Sequence, residues 1–407
     1  MGELRTRKRG KTWEWSFERA KIDGKRNPIS KGGYRTKAEA IAAGTQAKAE
    51  YDNGGRVFVP SEISVSDYLD YWFDSSVKPT LVYPSQQDYA SKIRIHIKPD
   101  LGHYKLCSLE PDIIQNWIMN KKNSGMSKSM LKNLLACFSG ALNYAVVPCK
   151  YIKSNPCNYV KIGKISETQY QKEHREYVLS KEEFEKIISR FGPDTNFYIP
   201  LMVAYHLGTR IGETYGFNLL EDVDFEKNEI TISKRLACEN KIWYYRPPKY
   251  NSMRTIKMDS VISNVLKQEI LTRKKNQLRF GEYFIRSYVK PDGEIVQIRG
   301  NVNLPFKEIM PISTKESGEL LTTDSFKYCA RVIHNELNNP LFHSHCLRHT
   351  HGTILAENGV SPKVIMERLG HKDIRVTFNT YIFNTEKMQQ DAIDIFEKAV
   401  MRDLPTA

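Results

Sequence analysis

A chain of 407 residues has room for two or three domains, each with its own core. Its lysines and arginines outnumber aspartates and glutamates by 14, a surplus that calls for a polyanionic partner: nucleic acid or an anionic membrane surface. The membrane is the weaker choice, because no apolar run nears the roughly 20 residues of a span and no signal-peptide pattern opens the chain. The seven cysteines (107, 137, 149, 157, 238, 329, 346) are odd in number, scattered and without a C-x-x-C, which reads as reduced thiols in a cytoplasmic protein.

The charge is concentrated at the start. Residues 1–37 hold twelve Lys/Arg against four Asp/Glu. Trp13, Trp15 and Phe17 alternate with polar residues as a strand does, Asp23-Gly24 signals a hairpin turn, and Ile29 to Tyr34 supplies a returning strand. Thr36-Lys37-Ala38-Glu39 is a capping box for a helix to about Tyr51. The tryptophans read as core, and the cations Arg7, Lys8, Arg9, Lys11, Arg19, Lys21, Lys25 and Arg26 as groups for a DNA groove.

After a linker containing Pro60, Val65, Tyr68, Leu69 and Trp72 share a helical face. A second helix, from about Pro84 to Lys98, carries Tyr89, Ile93 and Ile97 beside the basic Lys92, Arg94 and Lys98. Further helices fit Asp112 to Lys121 and Lys128 to Val146. Lys161 to Val178 is polar, without apolar periodicity, and reads as a strap between domains.

Ser180-Lys181-Glu182-Glu183 is another capping box. Tyr198 to Leu207 reads as a buried helix that turns at Gly208-Thr209-Arg210, with Glu213 close enough to hold the Arg210 guanidinium. Glu229 to Lys234, Lys241 to Arg246 and Met253 to Met258 alternate like a three-stranded antiparallel sheet, with Lys249 in its last turn. Pro291 to Glu294 looks like a hairpin turn and Asp324 to Glu336 like a helix; residues 275 to about 340 suggest no chemistry. His345 and Arg348, three apart, share a helical face. Ser361 caps a helix through Val364, Ile365 and Leu369 that Gly370 ends, and His371 follows, with Tyr381 ten residues on.

The series Arg210, Lys249, H-x-x-R at His345 and Arg348, L-G-H at His371, then Tyr381 resembles the signature of the tyrosine recombinases, the phage and transposon integrases. Leu101-Gly102-His103 also spells L-G-H, but no H-x-x-R precedes it and position 113 is isoleucine, so His103 reads as a loop histidine. The resemblance implies a multidomain fold: a small α+β arm-binding domain (1–56), an all-α core-binding domain (62–158), a linker (159–178), and a mainly α catalytic domain with a small antiparallel sheet and a tail helix (179–401). It implies double-stranded DNA partners at core-type and arm-type sites, an excisionase and a host DNA-bending protein. It also implies a homotetramer linked by the tail, where Met388, Ala392, Ile395, Phe396 and Ala399 form an apolar stripe.

Cleavage of DNA needs a nucleophile, neutralisation of the phosphate and a proton for the leaving oxygen. The sequence lacks a clear acidic cluster for Mg²⁺, so no metal or other cofactor is expected and protein cations must neutralise the phosphate. Arg210 and Arg348 suit this, since a guanidinium gives two parallel hydrogen bonds to phosphate oxygens, and His371 adds another. Tyr381 is the expected nucleophile. From the resemblance, His345 is the base and Lys249 the acid, the product is a 3′-phosphotyrosine, and the mobile element is integrated and excised without ATP. Three rivals stand beside this reading: a type IB topoisomerase, a DNA-binding regulator on a dead catalytic fold, and a metallohydrolase using His343, His345, His349 and His351.

Overall fold

The computed structural model describes residues 3–22, 25–52, 62–164, 177–300 and 302–373, with positions 390, 391, 393, 394 and 397. Its contacts divide the chain into two units, Met1–Ser166 and Glu167–Ala407. Among the described residues no helix is long and apolar enough to cross a membrane.

In the first unit, strands β1 (Arg5–Arg9), β2 (Thr12–Ile22) and β3 (Lys25–Tyr34) form an antiparallel sheet with β2 in the middle. The alternation along β2 turns Trp15 and Phe17 to one face, where both are buried and their rings stack at 5.6 Å. Helix α1 (Lys37–Asp52) covers them, started by Thr36, whose hydroxyl accepts the Glu39 N–H at 3.2 Å. Gly44 permits this approach, since a Cβ there would lie 2.8 Å from that of Trp15. The opposite face carries Arg7 across from Glu14. Glu14 lies buried between Arg7 at 3.4 Å and Arg9 at 2.9 Å, while the arginines stay 61% and 67% exposed. The turn expected at Asp23-Gly24 lies outside the described residues, with Ile22 paired to Lys25 across it.

The helical block follows the apolar periodicity. Tyr68 and Trp72 on α2 (Val65–Trp72), Ile114 and Trp117 on α4 (Pro111–Asn123), and Phe138 on α5 (Lys128–Val146) share one core. Both α2 and α3 (Tyr83–Lys92) run on through a wide π turn, Phe73–Val77 and Ile93–Ile97, into a short final turn. Lys78 and Lys98 donate to the carbonyl five residues back. Pro79 and Pro99 follow, and a residue with no N–H to donate sits where the helical register slips.

The second unit opens as its capping box predicts. Glu183 N donates to Ser180 Oγ at 3.1 Å and Ser180 N to Glu183 Oε2 at 2.8 Å, starting α6 (Lys181–Arg190). Helix α7 (Tyr198–Leu207) is buried at Leu201, Val203 and Leu207 and ends at Gly208 with φ 63°, before the short α8 (Ile211–Thr214). The sheet differs from the expected one. Strand β5 (Glu229–Ile232) lies between β4 (Val223–Asp224) and β8 (Arg254–Lys257). The segment expected between them, β7 (Ile242–Arg246), pairs instead with β6 (Arg235–Glu239) in a separate ribbon. Asn240 and Lys241, at φ 50° and 66°, make a tight turn that commits β7 to the residues just before it.

Helix α9 (Ser260–Phe280) leads to a second three-stranded sheet, in which β9 (Ile285–Val289) lies between β10 (Ile295–Arg299) and β11 (Lys307–Ile309). Buried Arg273 on α9 donates to Glu269 at 2.6 Å and to the carbonyls of Pro311 and Ile312. Helices α10 (Ser325–Glu336), α11 (Ser344–Glu357) and α12 (Pro362–Leu369) complete the unit, with α11 packed along α7. Replacing Arg273 with methionine leaves two buried carbonyls without donors. We expect a loss of about 2–4 kcal/mol in urea unfolding monitored by circular dichroism.

Candidate active site

The site is assembled around the C-terminal end of α12. A helix end leaves its last carbonyls without partners, at the negative pole of the helix dipole. Here three successive carbonyls are each taken by a guanidinium from a different part of the chain. Arg254 Nε donates to Arg368 O at 2.8 Å, Arg348 Nη2 to Leu369 O at 2.7 Å, and Arg210 Nη2 to Gly370 O at 3.2 Å. Gly370 leaves the helix at φ 68°, and His371 follows directly. The two arginines that the sequence singles out, 138 positions apart, therefore meet on neighbouring peptide groups.

Beneath them lies Glu213, 1% exposed, which accepts from Arg210 Nη1 at 2.7 Å and Arg254 Nη2 at 2.9 Å. Burial alone would raise this carboxyl; Arg254 and Arg210 outweigh it and hold the pKa below the ordinary value. Glu213 also accepts the Arg210 backbone N–H at 3.1 Å, which sets the start of α8. Arg348 lies deeper, at 1% exposure, and its Nη1 donates to Gly208 O at 2.9 Å. Arg210 is the more open of the two, with its side chain 20% exposed.

The imidazoles divide into two groups. His351 is a strut: its Nδ1 contacts Tyr205 O at 2.9 Å and its Nε2 accepts from Arg368 Nε at 2.9 Å. Arg368 in turn donates to the carbonyls of Lys257 and His206, so β8, α7, α11 and α12 are tied at one point. His345 and His349 lie one turn apart on α11 with rings 5.1 Å apart. Loss of water and then the neighbouring cations push His371 down to about 3, while burial and then His343 and Arg348 push His349 to about 4. His345 keeps much of its ring in solvent, which softens the burial contribution, but His349, Arg348 and Arg210 keep its shift downward. At neutral pH these imidazoles are uncharged, each with one N–H to donate and one ring nitrogen to accept.

The structure thus brings together Arg210, Glu213, His345, Arg348 and His371. Lys249 is exposed in the turn between β7 and β8, where Tyr250 adopts φ 61° and Arg254 Nη1 donates to Ser252 O at 3.1 Å. Tyr381 and all five residues of the apolar tail stripe lie outside the described residues. Of the cations expected to meet DNA from the helical block, Arg94 is exposed. Lys92 is buried against Asp88 and Tyr89, and Lys98 pairs with Asp70 at 2.6 Å, because each has an acid within reach on the same or the facing helix. On the N-terminal sheet Lys8 and Lys11 are exposed, Arg19 donates to Asn27 at 2.9 Å, and Arg26 pairs with Glu18 at 3.3 Å. Side chains of Lys21 and Lys25 lie outside the described residues. Arg254 and Arg368 went unrecognised in the sequence, where nothing but position separates them from other arginines. The metallohydrolase reading loses its ligands, since both nitrogens of His351 are committed and no group of three His, Cys, Asp or Glu suited to a metal occurs among the described residues.

Two expectations follow from this arrangement. Glu213→Ala strands the buried Arg254 guanidinium and takes the carboxylate partner from half-buried Arg210, and should cost about 3–5 kcal/mol in chemical unfolding. Burial holds the His351 pKa near 4, below the ordinary 6.5, so the unfolded chain takes up its proton first. Its contribution to stability is therefore complete above pH 6.5 and lost as the pH falls toward 4. In His351→Gln the slope of stability against pH over that window should be shallower by about one proton.

The family description "Phage integrase family" matches residues 177–388, and "Phage integrase, N-terminal SAM-like domain" matches residues 64–122. A tyrosine recombinase XerC-like protein of Caldanaerobacter subterraneus is 25% identical over 374 residues, covering 88% of this chain and 89% of its own. The Tn1549 transposon integrase, solved with transposon right end DNA, superposes with a TM-score of 0.61 at 20% identity, covering 82% of this chain and 99% of its own. A lambda integrase, solved as a tetramer bound to a Holliday junction, gives 0.54 at 18% identity over 90% and 91%. The fold is that of the tyrosine recombinases, the activity is site-specific DNA recombination, and the chain belongs to the phage integrase family.

Proposed function

We propose that this recombinase cuts DNA through Tyr381 and stores the broken bond as a 3′-phosphotyrosine. The observation that carries the reading is the convergence of Arg210 and Arg348 on the peptide groups beside His371. An integrase needs fixed positive charge at one backbone phosphate, and this geometry supports such a place. Arg210 offers its outward N–H groups to the non-bridging oxygens. Arg348 acts from below, where its charge is little screened by water. His371 donates to the same oxygens. These contacts strengthen as charge builds on the phosphorane.

Each proton has a place to go. The Tyr381 phenol gives its proton to neutral His345, and its oxygen attacks phosphorus. The bond to the 5′ oxygen breaks, and Lys249 protonates the departing alkoxide. A 5′-hydroxyl from another strand then gives its proton to the now neutral Lys249 and attacks the phosphotyrosine, restoring the phosphodiester, while the leaving phenolate takes its proton back from His345. The bond energy is conserved, so no ATP is needed. Two rounds exchange two duplexes and would integrate or excise a mobile element.

The remaining parts take supporting roles. Residues 1–56 serve arm-type sites, residues 62–158 clamp the core site, and residues 179–401 form the catalytic domain, with 159–178 between them. The tail stripe links protomers into a tetramer on DNA, and an excisionase and a host bending protein set direction. The test is a nicked duplex that traps the cleaved state. The wild-type chain should give a covalent adduct on a denaturing gel and Tyr381→Phe none. An adduct that persists in Tyr381→Phe would assign the nucleophile elsewhere.

A further inference from the structure

We propose that Arg254 is a positioning residue for strand cleavage, one that holds the Arg210 guanidinium and the His371 backbone in register with the Lys249 turn. This rests on the phosphodiester reading above and adds a residue to it. The Arg254 side chain is 8% exposed, which leaves it little surface for DNA. Its three nitrogens instead point to three pieces of the site. Nη2 donates to Glu213, the carboxylate that also holds Arg210. Nε donates to Arg368 O, within the helix end that leads to His371. Nη1 donates to Ser252 O, three residues after Lys249.

An independent feature shows how closely the guanidinium is seated. A Cβ on Gly370 would lie 2.7 Å from Arg254 Nη1 and 2.9 Å from Cζ. The glycine before His371 is therefore required twice, by its φ of 68° and by the arginine packed against it. Lysine cannot replace this fork, because an ammonium is a point charge that reaches one partner well and not three in a plane. Without Arg254, Arg368 O loses its donor and Glu213 keeps Arg210 alone. The Lys249 turn loses its tie to both. Reacting groups displaced by an ångström can lose about 100-fold in rate without any loss of binding.

The test uses the full chain and a nicked duplex on which wild type forms the covalent adduct. Arg254→Lys and Arg254→Met should bind that duplex within about threefold of wild type in a gel shift, yet cleave about 100-fold more slowly at saturating protein. Adding Glu213→Gln to Arg254→Lys should cost less than about threefold more, because the two act as one unit. If Arg254→Met does not fold, Arg254→Lys decides. Wild-type cleavage by folded Arg254→Lys overturns the proposal. So does a fall in binding that accounts for the fall in cleavage, or losses that multiply in the double variant. Absence of any duplex that traps wild type, or an adduct that survives Tyr381→Phe, instead sinks the phosphodiester reading, and the proposal with it.

Discussion

A carboxylate shut away from water must be neutralised where it stands, and Glu213 is shut away almost completely. Two arginines meet that demand, and their geometry fixes much else. Arg210 and Arg254 approach Glu213 from different parts of the chain, one after α7 and one at the start of β8, so the buried acid draws both segments together. The same arginines then reach the end of α12, where Arg348 joins them. One acid and the carbonyl end of α12 hold three cations here, which leaves a surplus of positive charge at this spot.

The polar residues with a place in the motif series were legible because that series fixes order. Arg210, His345, Arg348 and His371 fall together as the sequence implies, and the Glu213 contact follows from its spacing of three. Arg254 and Arg368 were not legible. Each works through backbone carbonyls brought near by tertiary packing, and a carbonyl acceptor leaves no trace in side-chain pattern. His351 shows the converse: on spacing alone it belongs to a histidine cluster fit for zinc, whereas contacts from Tyr205 and Arg368 occupy its ring.

The fold was read well wherever apolar periodicity or a cap spoke locally. The capping box at Ser180 and the glycine stops at Gly208 and Gly370 all sit where expected. The sheet was misread because alternation reports a strand and says nothing of its partner; two residues with positive φ at Asn240 and Lys241 decided that pairing. The ion pairs of the lysines in the helical block were legible only in part. Asp88 stands four residues before Lys92 on the same helix, whereas only packing places Asp70 beside Lys98.

The buried Glu14 on the N-terminal sheet has a consequence for ionic behaviour. Arg7 and Arg9 already share an internal counter-charge. A polyanion brought to Arg7 and Arg9 competes with that carboxylate for them. The arginines contribute shape instead: their side chains are already splayed by a common anchor, and less rotamer freedom remains to be surrendered on contact.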